Sequence, residues 1–169
     1  MRDRGFTLVE LIVVIGLAAV LLALSTLNFN ECMTRRQVER QTRELYSDLM
    51  ELRVASMTRK QRTAVFFGPR QLRFMTYSSP DEDVIIGGTP REPMNGKTLR
   101  YEIRNGVALQ AFNINTDRIA FDTRGFTTDI MTIVVVPLQS SGGENCIVVS
   151  AGRTNIGRID NDGTCRQKY

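Results

Sequence analysis

The sequence predicts an α+β fold, a long N-terminal helix packed on an antiparallel β-sheet domain. Three observations predict it. An apolar run near the N-terminus leads straight into a charged helical stretch. The segment from Met33 to Lys60 holds no Gly or Pro and repeats its apolar residues at helical spacing. From Thr63 onward, short apolar or alternating runs are separated by turn residues, the pattern of antiparallel strands. The predicted helix covers 6–61 and the β-rich domain 62–169.

The first half of the helix is expected to be transmembrane, at about 6–27. Leu11 to Leu24 is free of polar side chains, and the wider run from Phe6 to Leu27 is broken only by Thr7, Glu10, Ser25 and Thr26. Those 22 residues make a helix roughly 33 Å long, enough to cross a bilayer core. Arg2 and Arg4 precede the run, so the positive-inside rule places the N-terminus in the cytoplasm and the rest outside. No small-residue cleavage site follows the run, so the segment is expected to stay attached. Glu10 breaks the pattern. An ionised carboxylate in hydrocarbon costs on the order of 3 kcal/mol even on lenient insertion scales.

Beyond Leu27, Asn28 and Asn30 are weak helix formers and predict a local loosening. The stripe then runs through Val38, Leu45, Leu49 and Leu52, with Tyr46, Met50 and Met57 beside it. It is expected to pack on a sheet. Arg35, Arg36, Glu39, Arg40 and Arg43 form a charged face, with Glu39 and Arg43 a favourable i, i+4 pair.

In the β domain, "TAVFF" and "QLRFMTY" flank the turn at Gly68-Pro69. "SSPDEDVIIGGTPREPMNG" reads as a surface loop with a short strand at Val84 to Ile86. "TLRYEIR" alternates like one strand, and Asn105-Gly106 predicts a hairpin returning through "VALQAF". "RIAF", "MTIVVV", "CIVVS" and "TNIGRI" supply further strands.

Composition narrows the function. There is no histidine, which excludes a Ser-His-Asp or Cys-His site and histidine-ligated zinc within this chain. No GxSxG and no phosphate-binding loop occur. The reading is of a non-enzyme without a cofactor or metal. The net charge of +4 is nearly all arginine, which suits carboxylates and phosphates alike. The three cysteines show no CxxC spacing. Cys146 and Cys165 share the C-terminal part. Outside the cytoplasm a disulfide between them is expected, worth roughly 3 kcal/mol by loop closure. Two buried thiols are the alternative. Cys32 is left over, as a free thiol on the helix or a partner between molecules.

"RGFTLVELIVVIGLAAVLLAL" closely resembles the N-terminus of type IV pilins and type II secretion pseudopilins. The resemblance implies a leader at 1–5, removed by prepilin peptidase between Gly5 and Phe6, and N-methylation of Phe6. It implies that Glu10, fifth in the mature chain, neutralises the N-terminal amine of a neighbouring subunit in the filament. The implied location is the bacterial inner membrane, single pass, with the C-terminal domain periplasmic and later part of a pilus or pseudopilus. The implied partners are other pilins or pseudopilins.

"IAFDTRGFT" and "CIVVSAGRTNIGRI" resemble two blocks of the GspH/FimT branch of minor pseudopilins. That branch serves both the type II secretion pseudopilus and type IV pili. Some pilus members bind DNA for uptake through a "G-R-x-R" element. Here Gly152, Arg153 and Thr154 are followed by Asn155, so the second arginine is missing. Arg153, Arg158, Arg166 and Lys168 are the candidate DNA contacts. Asp160 and Asp162 dilute them, and no aromatic platform stands near them in sequence. Asp122, Arg124 and Gly125 read as a turn with a local ion pair. "DNDG" at 160–163 reads as a tight turn, since the other ligands of a calcium loop are missing.

Overall fold

The computed structural model describes residues 7–77, 94–106, 108–138, 143–160 and 163–167, with the backbone alone at 23–29, 94 and 95. The expected strand at Val84 to Ile86, and also Gly5, Phe6 and Lys168, lie outside the described residues. The chain divides into two compact units, Met1–Arg36 and Gln37–Tyr169.

The first unit is the start of one helix, α1, which runs Leu8–Arg59. The expected loosening does not occur, since the backbone stays helical through Asn28 and Asn30. Thr7 starts the helix as a cap. Its Oγ1 accepts the Glu10 N–H at 3.3 Å, and its carbonyl accepts the Leu11 N–H at 3.2 Å. The side-chain bond satisfies one of the donors that every helix start leaves open, and the carbonyl bond is the first of the helix itself.

The second unit holds the rest of α1 and ten strands. They are β1 Thr63–Gly68, β2 Gln71–Thr76, β3 Met94–Thr98, β4 Ile103–Asn105, β5 Gln110–Ala111, β6 Arg118–Phe121, β7 Met131–Val135, β8 Cys146–Val149, β9 Thr154–Ile159 and β10 Cys165–Gln167. Every pairing is antiparallel. They form two sheets, ordered β3-β2-β1-β6 and β10-β9-β8-β7-β4-β5.

"TLRYEIR" is where the sheets separate. It alternates as a single strand should, yet β3 ends at Thr98 and β4 begins at Ile103. Between them Tyr101 leaves the ladder. Its N–H donates to Gln41 Oε1 and its carbonyl accepts from Gln41 Nε2, each at 2.8 Å. Gln41 thus takes the place of a neighbouring strand. The Asn105-Gly106 turn is also longer than a two-residue hairpin. β5 begins only at Gln110, with positive φ at both Gly106 and Leu109.

One core joins α1 to both sheets. Val38, Leu45 and Leu49 meet Val65 and Phe67 of β1, Ile119 and Phe121 of β6, Ile133 and Val135 of β7, and Ile147 and Val149 of β8. All of β1 is buried, because its alternate residues Ala64 and Phe66 enter a second cluster with Met75 and Tyr77. Each such large apolar side chain contributes about 1.5–3 kcal/mol on full burial. The edge strand β6 is blunted, since Asp129 accepts the Ala120 N–H at 2.8 Å. α1 ends at Lys60, which takes the left-handed conformation (φ 52°) typical of a helix C-terminus.

The stripe on α1 is less apolar than its sequence suggests. Leu52 and Tyr46 are partly buried and Met57 is exposed, while Gln41, Thr42, Arg53 and Ser56 are buried. Thr42 and Ser56 satisfy their hydroxyls on α1's own carbonyls. Glu39 and Arg43 pair as expected, and Arg43 also reaches Glu144 at 2.8 Å.

Candidate functional site

Two regions carry functional side chains, one in each unit. In the first unit every residue from Thr7 to Leu22 is exposed. Leu8 to Leu22 is apolar all round except for Glu10 in the first turn. Helices of this kind are not stable facing water on all sides. Among the described residues no helix is long and apolar enough to cross a membrane. The side chains described in this run stop at Leu22, short of the expected span at 6–27. Glu10 sits where a carboxylate favours a helix start, at the positive end of the peptide dipoles.

In the second unit the site is built by "FDTRGF" after β6 and "SAGR" between β8 and β9. Asp122 organises the first. Its Oδ1 accepts the N–H groups of Arg124 (2.9 Å) and Phe126 (2.8 Å), and its Oδ2 accepts Arg124 Nε and Nη2 at 3.2 and 3.1 Å. The backbone closes around it, Gly125 N–H to Asp122 O and Asp122 N–H to Phe126 O. Partial burial pushes the Asp122 carboxyl up. The donors from Phe126 and Arg124 pull it further down, so it lies below its ordinary value. The expected turn with a local ion pair is present. Gly125 occupies it at φ +81°.

The second segment is a tight hairpin. Ser150 N–H and Oγ both donate to Arg153 O, at 2.8 and 3.0 Å. Thr127 N–H donates to Ala151 O, which ties it to the first segment. Phe126 packs over Gly152, whose Cβ position lies 3.5 Å from the ring.

Arg53 of α1 lies beneath both segments and was not expected from sequence. It is only 7% exposed. Nη1 donates to Gly152 O at 3.1 Å, and the guanidinium stands 5.0 Å from the Phe121 ring centroid. Nε and Nη2 are buried without a partner among the described residues. Burial lowers the pKa of Arg53, partly offset by Tyr46. In sequence Arg53 looks like one more arginine on a charged helix. Only its spacing to Leu49 and Ser56, both on the buried face, hints at its place.

The candidate DNA contacts do not form one patch. Arg158 and Arg166 are cross-strand partners on β9 and β10. Two like charges so placed repel, and Asp160 offsets this by pairing with Arg166 at 2.9 Å. Arg153 lies at the other end of β9, about 17 Å away along the strand. The residue before it, Gly152, is the one on which the Phe126 ring packs.

Cys146 and Cys165 form a disulfide, with Cα atoms 6.1 Å apart, and Cys32 is a free, exposed thiol. Gly157 sits opposite Cys146 in the ladder. A Cβ there would collide with the Arg166 carbonyl and crowd Cys165 Sγ. At the expected turn at 160–163, Gly163 N–H donates to Asp160 O and Asp160 N–H to Thr164 O, both 2.9 Å, while Asn161 and Asp162 lie outside the described residues.

A methylation-type N-terminus followed by a pilin fold is the class these features define. Residues 1–26 match the prokaryotic N-terminal methylation motif. The fold is that of the type IV minor pilin FimU of Pseudomonas aeruginosa (strain PAO1), in its P21 crystal form. The TM-score is 0.53 at 14% identity, over 79% of this chain and 96% of that one. The P65 form of FimU gives 0.49 at 14% identity, over 76% and 96%. No curated protein matches the chain.

Proposed function

We propose that this chain is a non-enzymatic filament subunit, a minor pilin or pseudopilin of a type IV pilus or type II secretion pseudopilus. The observation that carries the reading is the exposed helix from Leu8 to Leu22, apolar on every side but for Glu10, under a methylation motif. Such a surface needs cover. The inner membrane supplies it first, and neighbouring helices supply it in the filament. Prepilin peptidase cuts between Gly5 and Phe6, and Phe6 is then N-methylated. The new amine is a charge close to hydrocarbon. Glu10 of a neighbouring subunit pairs with it, and a paired buried charge is far less costly than a lone one. The disulfide fits a periplasmic C-terminal domain, since that compartment is oxidising.

The likeness to FimU, a type IV minor pilin, favours a pilus. The GspH/FimT resemblance serves pilus and secretion equally. The test begins with the intact mass of the mature protein, expected to begin at a methylated Phe6. Glu10→Ala is expected to enter the membrane and be processed, yet be missing from sheared filaments. Normal incorporation of that variant would sink this account of Glu10.

A second reading is DNA uptake. The exposed Phe126 ring, with Arg124 across it, favours it, because a ring next to a cation is what single-stranded nucleic acid stacks on. The separation of Arg153 from Arg158 and Arg166, and the pairing of Arg166 with Asp160, weigh against it. DNA retention across a salt series, with Arg153→Ala and Arg158→Ala together, decides. Retention that falls with salt and drops in the variant supports phosphate contacts.

A further inference from the structure

The part of α1 in the second unit is flanked by two surfaces, an exposed apolar one beside arginines and a groove that carries an acid unpaired among the described residues. On one side Val54 and Met57 stand 47% and 36% exposed, and Phe126 is 52% exposed. Met57 packs against Gly125, the residue before Phe126, so Met57 and Phe126 share this surface, with the ring as its knob. Arg124 lies across the Phe126 ring at 5.8 Å with its side chain 77% exposed, and Arg153 follows the Gly152 on which the ring rests. Arg53 holds the Gly152 carbonyl from below, which fixes the seat of the ring.

On the other side is a groove of about 270 Å³. Leu52, Ala55 and Phe74 give it apolar walls, and Asp48 and Glu51 line it as acids. Arg59 lines it too, and Asp48 is engaged by Lys97 at 2.6 Å. The available charge is therefore Glu51, which is exposed and has no ion pair among the described residues. Sheet order keeps the two surfaces apart. Phe74 is on β2, the knob follows β6, and β1 lies between those strands.

We propose that the Phe126 knob of one copy seats in the Leu52–Phe74 groove of a second copy, with Arg124 and Arg153 facing Glu51. The contact uses different surfaces on the two copies, so it leaves each copy with one knob or one groove unused and propagates. It also lets neighbouring α1 helices run in the same direction. That is what subunits drawn from one membrane require, and here the inference rests on the filament reading. The contact is small and weak alone. Anchoring subunits side by side raises their effective concentration and offsets this.

The test uses the full-length chain in detergent micelles with Cys32→Ser. Copies carrying Thr128→Cys, two residues after the ring, are mixed with differently tagged copies carrying Thr76→Cys, which lines the groove, and then oxidised, so that Phe126 and Glu51 stay in place. Cross-links between the two variants are expected to dominate. Thr128→Cys linking mainly to itself would mean a symmetric contact and overturn the proposal, as would the absence of any cross-link. In a second arm, Arg124→Glu with Arg153→Glu is expected to lose association with wild-type copies. Glu51→Arg in the partner copies is expected to restore it, and near-UV circular dichroism confirms that each variant is folded. Failure of restoration would also overturn the proposal. The filament reading is judged separately, by the N-terminal mass and by the Glu10 variant.

Discussion

Asp122 concentrates several interactions in one side chain. Two backbone N–H groups and one guanidinium converge on its carboxylate, and hydrogen bonds to a charged group are the strong ones. Asp122→Ala is expected to cost about 1–3 kcal/mol at neutral pH, measured by urea unfolding. The folded carboxyl lies below its ordinary value of 3.8. Its charge therefore adds stability above about pH 4, which is lost as pH falls through the folded value. The stability gap between wild type and Asp122→Asn is expected to shrink across that range. Gly125 is the matching constraint on the backbone. At φ +81° an alanine is strained, and its Cβ would lie 2.9 Å from Met57 Sδ and 3.2 Å from Arg53 Cγ. Gly125→Ala is expected to cost about 1–3 kcal/mol, seen as a lower urea midpoint.

At the scale of elements, the junction between α1 and the loop joining β3 to β4 decides the architecture. Gln41 is buried and satisfies both backbone groups of Tyr101, while Gln37 accepts the Tyr101 hydroxyl at 2.7 Å. A helix thereby does the work of a strand, and the chain crosses from one sheet to the other. Gln41→Ala strands a part-buried donor and acceptor. The expected loss is about 1–2 kcal/mol, with faster hydrogen exchange at the Tyr101 amide as its local mark. Strand existence was legible in sequence because β1, β2, β6, β7, β8 and β9 carry the right period and residue types. The break at 99–102 was not legible, because the partner that causes it lies 60 residues away.

For the whole molecule, the proposed membrane and filament setting rests on the disulfide and the exposed helix. The disulfide joins β8 to β10 across β9 and closes the C-terminal part of the larger sheet. Reduction, or Cys146→Ser with Cys165→Ser, is expected to cost roughly 3 kcal/mol by loop closure. Thermal unfolding with and without reductant measures it. The exposed helix from Leu8 to Leu22 has no cover among the described residues. In the proposed function, membrane and filament supply it in turn.

The sequence by itself determined the helix, most strands, the β-turn at Asp122 and the N-terminal motif. Each of these is written in a short window, as a period, a turn dipeptide or a run of apolar residues. The tertiary structure alone decided the division into two sheets, the burial of Arg53 and the packing of Phe126 on Gly152. Those depend on contacts between segments far apart in the chain. A local window reads what a residue prefers, and only packing decides which neighbour it gets.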